Sequence, residues 1–227
     1  MLKLFRYNYL VLYEMKKIIL IASMLLTAPA FAQFQSKIYD IAPKLKEKMI
    51  EGNSWHIGCP VDVVDLRYLK LTYVDFDGID QVGELIVHKS IANDMVNIMQ
   101  ELYNARYPIY KMQLVSDYQA NDWQSIEAGN TSAFNCRRAT GSKKWSKHSY
   151  GRAIDINPIE NPYVSRKGHI SHKASLKYKR RRHIENTPSD RAVLLKDDEV
   201  TLIFKKYGFT WGGDWRSVKD YQHFVKK

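Results

Sequence analysis

This 227-residue chain has only two cysteines, no apolar run long enough for a bilayer, no internal repeat, and no acidic residue between positions 165 and 183. Each absence narrows the possibilities. Cys59 and Cys136 allow one pairing only, and in an oxidising compartment a single bridge is favoured over a thiol metal site. Such a bridge would contribute about 4 kcal/mol through the long loop it closes, whereas two buried free thiols would contribute nothing of this kind. The longest apolar stretch, IILIASMLL, falls far short of the ~20 residues that a spanning helix needs, and Pro29 follows it closely. Without a repeat, and with 45% hydrophobic residues, the length suits one core-bearing domain with extras.

The apolar stretch has a different use. Met15, Lys16 and Lys17 precede it and Ala30-Phe31-Ala32 follows, giving the charged start, apolar centre and small-residue end of a secretory signal. Cleavage is expected before Gln33, with residues 1–14 as an upstream extension and Met15 as the translation start. The mature protein is then exported, to the periplasm or beyond. The formal charge of +11 falls to +8 once residues 1–32 are removed. Much of the excess lies in SRKGHISHKASLKYKRRRH, residues 165–183, which is read either as a solvated loop or as a patch for an anionic envelope polymer or lipid head group. No nucleic acid is expected outside the cell. His169 and His172 in this block have the spacing of a helical ligand pair but no third ligand nearby, and are not assigned a site.

Periodicity over the mature chain predicts a short helix over 37–50 (Ile38, Ile41, Leu45 and Met49 on one face), forming with its flanks a lead-in over 33–59. A hairpin follows, with strands at 65–74 and 84–88 around DFDG. A helix over 91–106 is capped by Ser90 and stopped before Pro108, and 109–116 reads as a strand. Residues 121–138 read as a polar loop and AIDIN (153–157) as a short buried strand. A helix capped by Asp197 ends at Gly208, and FTWGG and DYQHFV supply the last strands. One core is expected.

The chemistry concentrates in two places. SKHSYGRAIDIN (146–157) holds His148 and Asp155 around Gly151, and DYQHF holds Asp220 and His223. A catalytic zinc takes three protein ligands from His, Asp or Glu and leaves a fourth position for water. His148, Asp155 and His223 meet that count, with Asp220 left over as a base. Asp155 on an apolar strand would otherwise be a buried, unpartnered charge. Gly151 permits the tight turn between the first two ligands. A structural zinc normally has four protein ligands, and a fourth good candidate is missing. His56, His88 and His183 are read as ordinary surface or core histidines, and Trp211, Trp215 and Tyr221 as packing residues.

The ordered set SKHSYGRAIDINP, NPY, FTWGGDW and DYQHF resembles the zinc D-Ala-D-Ala carboxypeptidase and L-alanyl-D-glutamate endopeptidase family, which cuts peptidoglycan stem peptides. The pairing of S-x-H-x-x-G-x-A-x-D with a later D-x-x-H is far more specific than either piece. The resemblance covers residues 60–227. It implies one α+β domain of the hedgehog/DD-peptidase type, with a small antiparallel sheet flanked by helices. It also implies one zinc held by His148, Asp155 and His223, a zinc-bound water as nucleophile and Asp220 as general base. NTSAFNCR (130–137) resembles the family's substrate loop, which gives Arg137, with Arg138 in reserve, the role of gripping a carboxylate or polarising the scissile carbonyl. Ser146 is assigned a hydrogen bond to the substrate backbone.

Alternatives remain at this level. Asp220 has a second possible role in orienting His223, and Arg137 in pairing with an acidic surface group. A non-catalytic envelope-binding protein would use the same metal-bearing fold. Whether a carboxypeptidase or an endopeptidase bond is cut is not encoded in the metal motif. Mass spectrometry of the exported protein is expected to find Gln33 as its first residue; a mature form retaining residues 2–14 would contradict the assigned start and cleavage.

Overall fold

The computed structural model describes residues 33–227; the signal and cleavage expectations for residues 1–32 lie outside the described residues. The fold is α+β, and Phe34–Lys227 forms one compact unit. A three-stranded antiparallel sheet is made by β1 (Ser36–Asp40), β2 (Leu66–Val74) and β3 (Asp80–His88), in the order β1-β2-β3. The DFDG turn joins β2 to β3 through Asp75, whose Oδ1 accepts from the N–H groups of Asp77 and Ile79. That Asx-type turn closes the hairpin in register.

Period-two alternation puts Leu69, Leu71 and Tyr73 of β2, with Leu85 and Val87 of β3, into the main core. The opposite face carries Leu66 and Ile86 into a second, smaller cluster with Met49, Phe134 and Cys136. The single core expected from sequence is thus two, because this sheet is covered on both faces. The disulfide Cys59–Cys136, with Cα atoms 5.9 Å apart, ties the lead-in to the second cluster.

The lead-in differs from expectation. Its first residues form β1, paired with β2 from Ser36↔Leu71 to Asp40↔Arg67, and only α1 (Pro43–Glu51) is helical. Pro43 at the start of the helix accounts for the break, since its ring fixes the helical φ and it lacks an N–H to continue an earlier turn. Next comes α2 (Ala92–Asn104), which lays Met95, Ile98, Met99 and Leu102 against β2. A 3₁₀ turn at Lys89–Ile91 precedes it, and the His88 ring, not Ser90, caps that turn.

Residues 109–116 yield only β4 (Lys111–Met112), paired in parallel with β5 (Asn130–Thr131). The expected loop over 121–138 contains α3 (Asp122–Glu127), capped by Asn121. Further on are β6 (Ala153–Asp155), β7 (Tyr163–Val164), α4 (Pro188–Arg191), α5 (Glu199–Lys206), β8 (Phe209–Trp211), β9 (Lys219–Asp220) and β10 (His223–Lys226). Asp198, not Asp197, caps α5 by accepting from the Thr201 N–H.

A second antiparallel sheet, in the order β6-β10-β8, has β10 at its centre. Phe224 and Ile154 pair across it and are fully buried, and Phe224 stacks on Phe204 with ring centroids 3.8 Å apart. Their neighbours His223 and Asp155 face the other way.

The basic block is anchored more firmly than a solvated loop. Ile170, Ser175 and Tyr178 are buried. Arg181 donates to the carbonyls of Glu160 and Leu194 and to Asn161 Oδ1, and its guanidinium lies 4.4 Å from the Tyr221 ring centroid. Lys and Arg residues elsewhere in the block are exposed.

Candidate metal centre

His148 stands on a 3₁₀ turn, Lys147–Tyr150, whose start is capped by Ser146 Oγ accepting from the His148 N–H at 3.3 Å. Gly151 ends the turn at φ +64°, and a Cβ there would come within 2.6 Å of the His88 backbone nitrogen. Both the left-handed angle and the close approach demand glycine. Asp155 ends β6, and His223 opposes it directly at the start of β10. Asp220 lies on β9, where Tyr163 of β7 pairs with it. Gly212 backs onto Asp220: a Cβ at 212 would lie 2.4 Å from the Asp220 carbonyl oxygen and 2.9 Å from its Cβ. The glycine in FTWGG therefore gives Asp220 its room.

Three side chains separated widely in sequence converge. His148 Nε2 lies 3.2 Å from His223 Nδ1 and 3.3 Å from Asp155 Oδ1, and His223 Nδ1 lies 2.9 Å from the same oxygen. All three residues are buried. Ligand bonds of about 2.0–2.1 Å at tetrahedral angles place donor atoms about 3.3 Å apart, so this triangle has nearly the dimensions of one face of a zinc tetrahedron. His148 Nδ1 lies 2.5 Å from the Ala133 carbonyl oxygen. That oxygen can only accept, so Nδ1 carries the proton and Nε2 presents its lone pair to the triangle. Two imidazole nitrogens and a carboxylate oxygen at this separation need a positive charge among them. The donor set fits zinc.

Electrostatics separate the two carboxylates. Burial opposes ionisation of Asp155, but His148 and then His223 outweigh it and hold its pKa below the ordinary range. Burial also works against a charged His148, yet the Asp155 carboxylate prevails and raises its pKa. Asp220 goes the other way: burial, followed by repulsion from Asp155, raises its pKa to about 7. Asp220 Oδ1 is out of reach of solvent and has no hydrogen-bond partner among the described residues. One acid is fixed as an anion beside a would-be cation, while the other is poised to take and release a proton near neutrality.

The centre opens into a cavity of about 620 Å³ whose walls include Asp122, Trp123, Arg137, Trp145, His172 and Trp215. Arg137 lines it but is engaged: its Nε and Nη2 donate to the two carboxylate oxygens of Asp122 at 3.1 and 2.8 Å. The surface-pair alternative for Arg137 is thus the one drawn in this structure. Arg138 sits over the Trp145 ring, its guanidinium carbon 3.7 Å from the ring centroid, and donates to the Lys143 carbonyl. Ser146 Oγ serves its cap, also at the cavity wall. His172, left without a site by its sequence context, lines the cavity, its ring centroid 3.9 Å from that of Trp123 at a tilt of 31° and its Nδ1 2.5 Å from Glu127 Oε1.

Some contributors had no sequence signal. The Ala133 carbonyl is backbone, and Asp122 and Trp123 came from a segment read as loop. Gln222, whose Nε2 lies 3.4 Å from Asp155 Oδ2, adjoins a proposed ligand but matches no ligand type. A second group of metal-ligand types, His56 with Cys59 and Cys136, has its sulfurs tied in the disulfide and offers no thiolate.

The family described as D-alanyl-D-alanine carboxypeptidase matches residues 140–226, a span that contains His148, Asp155, Asp220 and His223 but not Arg137 or Arg138. No curated protein and no solved structure matches the chain.

A raised carboxyl pKa has a defined sign in folding. The folded protein holds the Asp220 proton up to about pH 7, whereas the unfolded chain releases it near the ordinary carboxylate value of 3.8. Stability from this group is therefore complete below that value and lost as pH rises towards 7. Thermal melts of metal-free protein are expected to show Asp220→Asn gaining on wild type between pH 4 and pH 8; a gap independent of pH would contradict the shift.

Proposed function

We propose that this chain, whose residues 140–226 carry the D-alanyl-D-alanine carboxypeptidase family's sequence, is an exported zinc peptidase that hydrolyses peptide bonds in peptidoglycan stem peptides. The observation that carries this is the His148–Asp155–His223 triangle beside a half-buried Asp220 whose Oδ1 has no hydrogen-bond partner among the described residues. His148, Asp155 and His223 would hold the ion, one per chain. When bound, zinc supplies a Lewis acid that polarises a carbonyl and makes water acidic near neutral pH.

The protein's own residues do the rest. Ala133 fixes the His148 tautomer, and Gln222 holds the outer oxygen of Asp155, so both ligands keep one orientation. Asp220 accepts a proton from the attacking water and returns it to the leaving amine, a task open to a carboxyl whose burial raises its pKa above the ordinary carboxylate range. Arg137 meets a substrate carboxylate only by sharing or exchanging its Asp122 partner, which makes it a switchable grip.

A non-catalytic binding protein with the same metal is the second reading. The intact, proton-ready Asp220 favours catalysis. Replacing Asp220 by Ala is expected to leave zinc content at one per chain while hydrolysis of stem peptides, followed by mass spectrometry of muropeptides, falls by several orders of magnitude. Full activity in that variant would remove Asp220 from the mechanism, and a wild type with bound zinc but no cleavage would favour the binding protein. The same spectra distinguish loss of a terminal D-alanine from cleavage within the stem.

A further inference from the structure

A second cavity, of about 740 Å³, adjoins the metal cavity and plays no part in the chemistry above. The two share their partition. α3 gives Trp123 to the metal cavity and Glu127 to the second, and the basic block gives His172 to the first and Lys173 and Lys177 to the second. The Trp123–His172 ring contact and the His172–Glu127 contact link residues of the two walls.

One wall is an exposed aromatic ring held still. Tyr110 is 52% exposed. Yet its ring rests directly on Gly129, where a Cβ would lie 2.6 Å from a ring carbon, and Phe76 meets it edge-on at 5.3 Å. Its backbone N–H is tied to Asn157 Oδ1 at 2.9 Å. Leu176, also exposed, extends the apolar surface. Large apolar groups fixed in this way and left facing solvent are characteristic of ligand platforms.

Another wall is Glu160, only 6% exposed, with Oε2 lacking any hydrogen-bond partner among the described residues. Its Oε1 has only a long contact, 3.4 Å, to the Tyr178 hydroxyl. A buried acceptor without a donor is costly and marks a place where a donor is missing. Formally the charges lining the cavity, Glu127 and Glu160 against Lys173 and Lys177, balance, with burial raising the Glu160 pKa to about 7. That balance disfavours a polyanion, although the rest of the basic block is strongly positive.

The ligand chemistry that fits is a nearly uncharged ring with one flat apolar face for Tyr110 and several O–H and N–H donors for Glu160. An N-acetylated pyranose has these features. We infer that this cavity binds the amino-sugar strand of peptidoglycan, beside the cavity that receives the peptide attached to it. The choice of polymer rests on the proposed function; the binding site rests on Tyr110 and Glu160.

Calorimetric titration of the full chain with uncharged oligomers of N-acetylglucosamine tests the site independently of catalysis. Wild type is expected to bind, and Tyr110→Ala and Glu160→Met each to weaken binding at least tenfold. Tyr110→Ala, at an exposed position, is expected to keep the wild-type melting temperature. On a free stem peptide its kcat/KM is expected to be unchanged, and on glycan-linked stem peptides to fall about tenfold. Absence of glycan binding, binding indifferent to both substitutions, or binding of a polyphosphate in place of glycan would each overturn the inference. A protein that bound glycan through Tyr110 but cleaved no stem peptide would leave this inference standing and overturn the peptidase reading.

Discussion

The antiparallel pairing of β6 with β10 is the constraint on which the site depends. His223 lies opposite Asp155 and Phe224 opposite Ile154, so one face of a three-residue register belongs to the core and the other to the metal centre. Because side chains alternate, a slip of one residue would bury the imidazole and carboxylate in the core and expose the phenyl ring. Phe224, locked between Ile154 and Phe204, is what resists that slip. The hydrophobic packing of one face thereby sets which residues stand as ligands on the other.

The polar face has its own logic. Burying two imidazoles and a carboxylate within about one hydrogen-bond length of each other is unfavourable unless a proton or a metal cation lies among them. In the metal-free protein the Asp155 carboxylate raises the His148 pKa and the two imidazoles lower that of Asp155, which favours a proton in that place. A divalent ion would displace it, so metal binding and proton release are linked. Asp220, set aside on β9 with Gly212 clearing its space, feels burial and the Asp155 charge more strongly than the opposing pull of His223 and His148. Two aspartates of one site thus acquire opposite tendencies from their surroundings alone.

Much of this was legible in the sequence where spacing and residue type act together. His148, Asp155, Asp220 and His223 could be named because few constellations combine those types in that order, and the structure brings them to one place. Period-two and period-3.6 patterns located β2 and α2 because their core faces are long. Short elements were obscured. β1 read as helix because Ile38 and Ile41 continue the spacing of α1 across Pro43, and α3, only six residues long, carries too few apolar positions to show a period. Interactions made through space had no linear signal: the Asp122 partner of Arg137, the Ala133 carbonyl behind His148, and the second core formed when the two faces of one sheet were both covered.

The basic block shows how composition misleads when read without partners. Its charge suggested a solvated patch, but Arg181 is a core fastener, His172 a wall of the metal cavity, and Lys173 and Lys177 neighbours of two glutamates. Zinc X-ray absorption on the purified protein tests the central claim most directly. A single ion bound by two imidazole nitrogens and one carboxylate oxygen at about 2.0–2.1 Å, with a light-atom fourth ligand, is the expected result. Sulfur in the shell, or zinc retained unchanged in His223→Ala, would contradict it.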